Sequence, residues 1–421
     1  MAASRARRRI LIVAYHFPPS HGSSGIQRTL KFATYLREHD WEPLVLTISP
    51  RAYEQVSDGQ MDDIPEGVVI RRAFGLDTSR HLAVRGRYLH AMAQPDRWVS
   101  WWPAGVMAGL RMIRRERPSV IMSTFPIATA HLIARTLHRR SGLPWVADFR
   151  DAMTEPDYPR DPRTWAVQRR LEHDVVSRCT LALFTAPGTL EMYRTRYPEV
   201  PQGRWAVVEN GFDEENFADA ESGLNRSPLG VNGQVVLVHS GILYPEERDP
   251  RPLFEAVARL KSIGEVDASK LQVRFRGTGK DAHYKAMVRQ NGIEDIVDIQ
   301  PGIAYRDALQ EMLRADGLLL MQAAICNHQI PAKLYEYARA GRPILGLVDP
   351  KGDSAELLGK LGVRHMADIA NADQIVPILS QFVTQVRSDT LRGVEPRIAT
   401  THSRRSRTAE LARLLNQQVC R

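Results

Sequence analysis

The chain has 421 residues, 43% of them hydrophobic and 25% charged, a balance that excludes disordered, collagenous and disulfide-scaffold proteins. At about 100–200 residues per domain, that length suits two α/β domains. Cys179, Cys326 and Cys420 are far apart and odd in number, so neither a paired-cysteine metal site nor a disulfide framework is expected, and a reducing cytoplasm is the expected compartment. The net charge of +9 is uneven: residues 1–200 hold 29 Lys and Arg against 20 Asp and Glu, whereas residues 201–421 hold 28 of each. A basic half suits a phosphorylated substrate, an anionic membrane or nucleic acid, or is simply a solvated surface. No interleaved aromatic–basic module supports nucleic acid, and none is expected as a partner.

In chain order, Arg9–Ala14 is a short apolar run fit for a buried parallel strand. It is too short for a signal h-region or a membrane span. A Pro/Gly/Ser loop follows to Gly25, and Ile26–His39 has helical spacing. Strands are expected at Pro43–Ile48, Val68–Ile70, Val120–Met122, Trp145–Ala147 and Leu181–Phe184, with helices at Val106–Ile113 and Ala128–Arg139. The pattern repeats in the second half. Strands at Val235–His239, Leu271–Phe275, Val297–Ile299, Gly317–Met321 and Pro343–Leu347 alternate with helices at Pro252–Lys261, Asp281–Asn291, Tyr305–Arg314 and Ala332–Ala340. This alternation predicts two doubly wound, Rossmann-like domains: residues 1–215, a polar linker 216–233, residues 234–400, and a basic C-terminal helix in 401–421. Ligands of such sheets sit at the carboxyl ends of strands, so the site is expected in a cleft between the domains.

No HExxH, Walker A or GxSxG pattern is present, and the first glycine loop lacks GxGxxG spacing. Two segments carry chemistry. In the loop His16–Gly25, Gly22 and Ser23 let backbone approach a phosphate at a helix start, with Arg28 in the first turn. In Asn327–Pro343, Pro331 is placed to open a helix and Gly341 to close it. Lys333 and Glu336, three apart, share one helix face. A first-turn lysine suits a diphosphate, and a carboxylate one turn on suits paired ribose hydroxyls.

Over roughly residues 8–415 these segments resemble the GT4-type family of retaining glycosyltransferases with the GT-B fold. The likeness extends to Val208-Glu209-Asn210-Gly211-Phe212-Asp213 with Phe217, which resembles the end of that family's first domain. Arg276-Gly277-Thr278-Gly279 and Gln300-Pro301-Gly302-Ile303 resemble its two turns near the nucleotide base. The helix with Glu336 resembles its ribose-binding helix, and the PxKLYEY form resembles a polysaccharide-assembly subgroup. Family members carry a second glutamate eight positions earlier, which falls here on His328, at the donor sugar. The family's phosphate-binding lysine aligns with Arg248. Its arginine has no counterpart, so Lys333 or Arg251 is expected to compensate. Trp145–Asp151 resembles the strand and loop ending in HD, with Arg150 in place of the histidine, and DFRD is the subgroup's form.

The resemblance implies transfer of a sugar from a nucleotide-sugar donor to a glycan or lipid-linked acceptor, with retention and without a metal or cofactor. Arg248, Lys333, Arg150 and Asp151 are the expected catalytic residues. Gly22, Ser23, Gly277, Gly279, Gly302, Ile303, His328 and Glu336 are expected at the donor, and Asp148, Ser123 and Thr124 on the acceptor side. The alternatives are a nucleotide-sugar epimerase of the same fold and a silent scaffold partner of another transferase. Reversible docking at the inner face of an anionic membrane is expected through Arg5–Arg9, Arg111–Arg117 and Trp98, Trp101 and Trp102.

Overall fold

The computed structural model describes residues 7–20, 25–57, 59, 61–225, 227–231 and 233–418. The central strands are short apolar runs buried on both faces, which is what parallel strands under helices require, whereas Val69–Ala73, Leu271–Arg276 and Val297–Gln300 alternate. Seven form one parallel sheet: β1 Arg8–Val13, β2 Trp41–Ile48, β3 Val69–Ala73, β4 Val120–Thr124, β5 Trp145–Phe149, β6 Leu181–Phe184 and β7 Trp205–Val207. The sheet order is β3-β2-β1-β4-β5-β6-β7. Six more form a second: β8 Val235–Ser240, β9 Leu271–Arg276, β10 Val297–Gln300, β11 Gly317–Gln322, β12 Ile344–Val348 and β13 Met366–Ala367. Their order is β10-β9-β8-β11-β12-β13. Both sheets run outward in two directions from their first strand, as a doubly wound sheet does. Each therefore has a switch point, beside β1 and β4 in one and β8 and β11 in the other.

The first unit comprises residues 1–209 and 404–421, the second residues 210–403. One face of the first sheet packs Leu11, Val13, Leu46 and Ile121 against helices Trp101–Glu116 and Ala128–Ser141. The other face packs Ile10, Ile12, Val120 and Met122 with Phe32 and with Leu411, Leu414 and Leu415 of helix Arg404–Gln418. That basic helix is thus part of the first unit, held by its apolar stripe. Trp41 Nε1 also donates to Asn416 Oδ1 at 3.2 Å.

Helix Glu214–Ser222 stands in the stretch read from composition as the start of a linker. Asp213 caps it by accepting from Asn216 N at 3.2 Å, and Phe217 is fully buried beneath the Arg339 guanidinium. Arg339 in turn pairs with Glu214 at 2.5 Å and Glu221 at 3.0 Å. The NGFD…F segment therefore has an architectural role. Helix Pro162–Arg178 and helix Ala372–Arg387 add to the helices expected from the sequence; the first is fixed by a proline in its opening turn and by Asp161, which accepts from Thr164 N at 2.7 Å.

Candidate active site

The switch point of the second unit gathers cations and glycines. β8 ends at Ser240, and Gly241 follows at φ 112°, a conformation glycine adopts without strain. A Cβ there would stand 3.2 Å from Lys333 Nζ, so the lysine lies against the backbone at the strand end. Lys333 reaches it from the first turn of helix Ala332–Ala340, which Gly341 closes at φ 66°. Its Nζ donates to His239 Nε2 at 3.2 Å, while His239 Nδ1–H donates to the Leu319 carbonyl at 2.9 Å. The second bond fixes the tautomer, since a ring whose Nδ1 donates must accept at Nε2. Burial, with Lys333 beside it, holds His239 well below its ordinary range, so it is neutral. Lys333 is itself held well below the ordinary lysine range, first by burial and then by Arg248, with Glu336 opposing.

Arg248 is half-buried. Its Nη1 donates to the Ile242 carbonyl at 2.8 Å and its Cζ lies 5.3 Å from the Tyr244 ring centroid, but its Nε is buried without a partner. Neither Lys333 nor Arg248 has a carboxylate in salt-bridge range among the described residues. Two cations converging without an anion is an arrangement that a diphosphate would complete.

Glu336, one turn beyond Lys333, accepts from Tyr305 Oη at 2.7 Å. At the ends of β9 and β10 the two glycine turns touch: a Cβ on Gly277 (φ 69°) would lie 3.2 Å from Gly302 Cα. Gly279 (φ 80°) packs on Ile242, and Ile303 and Tyr305 are exposed beside them. The second unit thus brings Lys333, Arg248, Gly277, Gly279 and Gly302 to one edge of its sheet. His328 is half-buried and stands 3.4 Å from Gln329 Nε2. Arg251, the other residue expected to compensate for the missing arginine, is exposed and paired with Asp249 at 2.5 Å. His239 was missed by sequence reasoning, although its place at a strand end next to the switch point was a usable signal.

In the first unit, several expected site residues prove internal. Arg28 was expected at a phosphate, but its Nε and Nη2 grip both oxygens of Asp148, at 3.1 and 2.8 Å. It also donates to the carbonyls of Val208 and Glu209, at 2.8 and 2.9 Å. Asp148 is fully buried, with Thr124 Oγ1 donating to it at 3.0 Å, so neither Asp148 nor Thr124 presents a polar group to a substrate. Ser123 is also fully buried, accepting from Trp145 Nε1 at 2.8 Å and bonding His131 Nδ1 at 2.7 Å. These three acceptor-side assignments are corrected: strand-end polarity here closes a buried network.

Two residues at the same strand ends differ. Arg150 Nε donates to the Phe125 carbonyl and Nη2 donates to His16 Nδ1 at 3.1 Å, but Nη1 is buried with no partner. His16, pushed down to about 3 by burial and by Arg150, is neutral, with its hydrogen on Nε2. Asp151 is exposed and adds attraction to the guanidinium. Gly22 and Ser23 lie outside the described residues, as do Arg5 and Cys420.

The residues expected at a membrane surface have different surroundings, and Arg111, Arg114, Arg115 and Arg117 among them are exposed. Trp101 is fully buried in the core, Trp98 packs on it and donates to the Ala52 carbonyl at 3.2 Å, and of these tryptophans Trp102 alone is exposed. Arg7 and Arg9, at the amino end of β1, are occupied by Glu42 at 3.5 Å and Glu116 at 3.1 Å. No helix among the described residues is long and apolar enough to cross a membrane. No group of three or more His, Cys, Asp or Glu among them is placed to hold a metal ion.

Residues 24–211 of the chain match the model of the glycosyl transferase 4-like domain. Its fold is GT-B. It is similar over 98% of its length to sucrose-phosphate synthase of Thermosynechococcus elongatus, at 12% identity and a TM-score of 0.66, covering 99% of that chain. It is also similar to HepE of Anabaena in complex with UDP: 14% identity, TM-score 0.64, 97% of this chain and 99% of that one. A UDP-N-acetylglucosamine 2-epimerase shares the fold too, at 11% identity and TM-score 0.58, over 99% of this chain and 98% of that one. At such identities the likeness is one of fold. No curated protein matches the chain.

Proposed function

We propose that the chain transfers a sugar from a nucleotide-sugar donor to an acceptor hydroxyl, with retention and without a metal. The observation that carries this reading is the glycine-lined switch point of the second unit, where Lys333 and Arg248 converge without a counter-ion. HepE, of the same fold, has been seen with UDP and with UDP-glucose, which supports a nucleotide-sugar donor. In the reaction, the bond from the anomeric carbon to the diphosphate oxygen breaks, and one from the acceptor oxygen to that carbon forms. The acceptor's proton passes to the departing phosphate. Charge grows on that phosphate, and Lys333 and Arg248 are placed to stabilise it. Glu336 takes the ribose hydroxyls, while the Gly277 and Gly302 turns flank the base. His328 faces the donor sugar, and Asp151 and Arg150 act on the acceptor side.

The test is incubation with a panel of nucleotide sugars, with and without glycan and lipid-linked acceptors. A new glycoside with release of nucleoside diphosphate is expected. An isomerised donor without acceptor would replace the transferase by an epimerase, and neither product would leave a silent partner.

A second reading concerns the acceptor's location. Between β3 and helix Trp101–Glu116, residues 78–95 contain no acidic residue. They carry Val84 and Leu89 at 75% and 72% exposure, with Tyr88 and Met92 also exposed beside Arg85 and Arg87. Apolar tips ringed by arginine suit an anionic bilayer, so we propose that this segment, with Trp102 and Met107, docks the chain reversibly at the inner membrane face. Sedimentation with anionic vesicles at low salt, lost in neutral vesicles and in a V84S/L89S variant, is expected. Retention of full binding by that variant would remove this surface.

A further inference from the structure

Glu336 reaches the site from helix Ala332–Ala340, one turn beyond Lys333. The last torsion of a glutamate is broad, so the helix alone does not set the plane of the carboxylate. Tyr305 sets it from a neighbouring element. It opens helix Tyr305–Arg314 shortly after Gly302, and its hydroxyl donates to Glu336 Oε1 at 2.7 Å across 31 positions of sequence. A hydrogen bond to an ionised carboxylate is about twice as strong as one between neutral groups.

Both ends of that bond are anchored. Leu309, Met312 and Leu313 bury one face of the tyrosine's helix. Glu311 on the same helix pairs with Arg274 at 3.1 Å and Arg276 at 2.6 Å, and Arg276 Nη1 also donates to the Pro301 carbonyl at 3.2 Å. Arg276 immediately precedes Gly277, so one set of contacts ties both glycine turns to the helix of Tyr305. On the other helix, Leu334, Tyr337 and Ala338 are buried around Glu336. The carboxylate is therefore oriented from a fixed point before a ligand arrives, which lowers the ordering cost of binding.

We propose that Tyr305 is a positioning residue for Glu336: its hydroxyl fixes the carboxylate in the plane that meets two vicinal ribose hydroxyls, and so makes the site discriminate ribonucleotides from deoxyribonucleotides. A carboxylate can accept about four hydrogen bonds, so it can hold the tyrosine and two hydroxyls together. A phenol does this without adding charge, whereas a cation in its place would compete with the hydroxyls for the carboxylate. This inference rests on the reading of Glu336 as the ribose ligand.

The test is calorimetry of the full chain with UDP, GDP and ADP and with their 2′,3′-dideoxy counterparts, which lack both hydroxyls. Wild type is expected to bind at least one ribonucleotide about tenfold more tightly than its dideoxy form. Y305F keeps the ring and removes the donor. It should weaken the ribonucleotide about threefold and leave the dideoxy form unchanged, which also shows that the variant is folded. In an E336A background, Y305F should change neither affinity, because the tyrosine acts through the glutamate. Equal losses of both ligands in Y305F, or full retention of the discrimination, overturns the positioning role. So does a further loss in the E336A background, which would place Tyr305 on the nucleotide itself. Equal affinity of wild type for ribonucleotide and dideoxy form removes Glu336 from the ribose, and this inference with it. Absence of binding by all three ribonucleotides would instead strike the nucleotide-sugar reading.

Discussion

The two sheets share one topology and one kind of switch point, yet their charged residues have opposite fates. In the first unit, Arg28 and Asp148 are fully buried and make every contact with each other, with Thr124 and with the carbonyls of Val208 and Glu209. In the second, Lys333 has only a neutral histidine to bond and a second cation nearby. A satisfied buried charge is architecture, and an unsatisfied one marks a place prepared for something else. Arg150 is the instructive exception, because it sits beside the closed network but leaves Nη1 without an acceptor.

The largest effect should come from breaking the closed network. Asp148→Ala leaves Arg28 buried without a counter-ion and should cost about 3–5 kcal/mol of stability, read by chemical denaturation. An unchanged denaturation midpoint would show that the pair is not the anchor described. Lys333→Ala should behave in the opposite way. Stability should hold or rise, because a lysine held against its charged state is removed. Nucleoside diphosphate binding should weaken by about 1.5–3 kcal/mol, and nucleoside binding much less. Arg248→Ala should share that selectivity. Equal losses for both ligands would argue for a folding role. Glu336→Ala should weaken nucleoside and diphosphate alike, by about 1 kcal/mol, and leave stability within about 0.5 kcal/mol.

The smallest effect sharpens the contrast most. Lys333 is held below the ordinary lysine range by burial and by Arg248, and a bound diphosphate favours its charged form. At a pH above its depressed value and below the ordinary lysine range, binding should therefore take up a proton, and affinity should fall as pH rises. Below the depressed value the lysine is already charged and affinity should level off. Calorimetry in buffers of different ionisation enthalpy measures the uptake. A buffer-independent heat would mean that Lys333 is charged throughout.

Both Rossmann-like sheets were legible because buried parallel strands announce themselves as short apolar runs between helical spacings, as at Arg9–Ala14 and Val235–His239. So was the Lys333–Glu336 pair, since a helix start and a three-residue spacing fix which face two side chains share. Helix Glu214–Ser222 was not, because its composition is that of a linker and its hold comes from Asp213 as a cap and Phe217 in the core.

Sequence alone determined which segments reach the strand ends and which residue types stand there. Only the tertiary structure decided which of those residues are used up. Arg28 and Asp148 are 120 positions apart and looked like ligand contacts until folding placed them 2.8 Å from one another. Whether a charge has found its partner is a matter of distance in three dimensions, and a list of residues does not contain it.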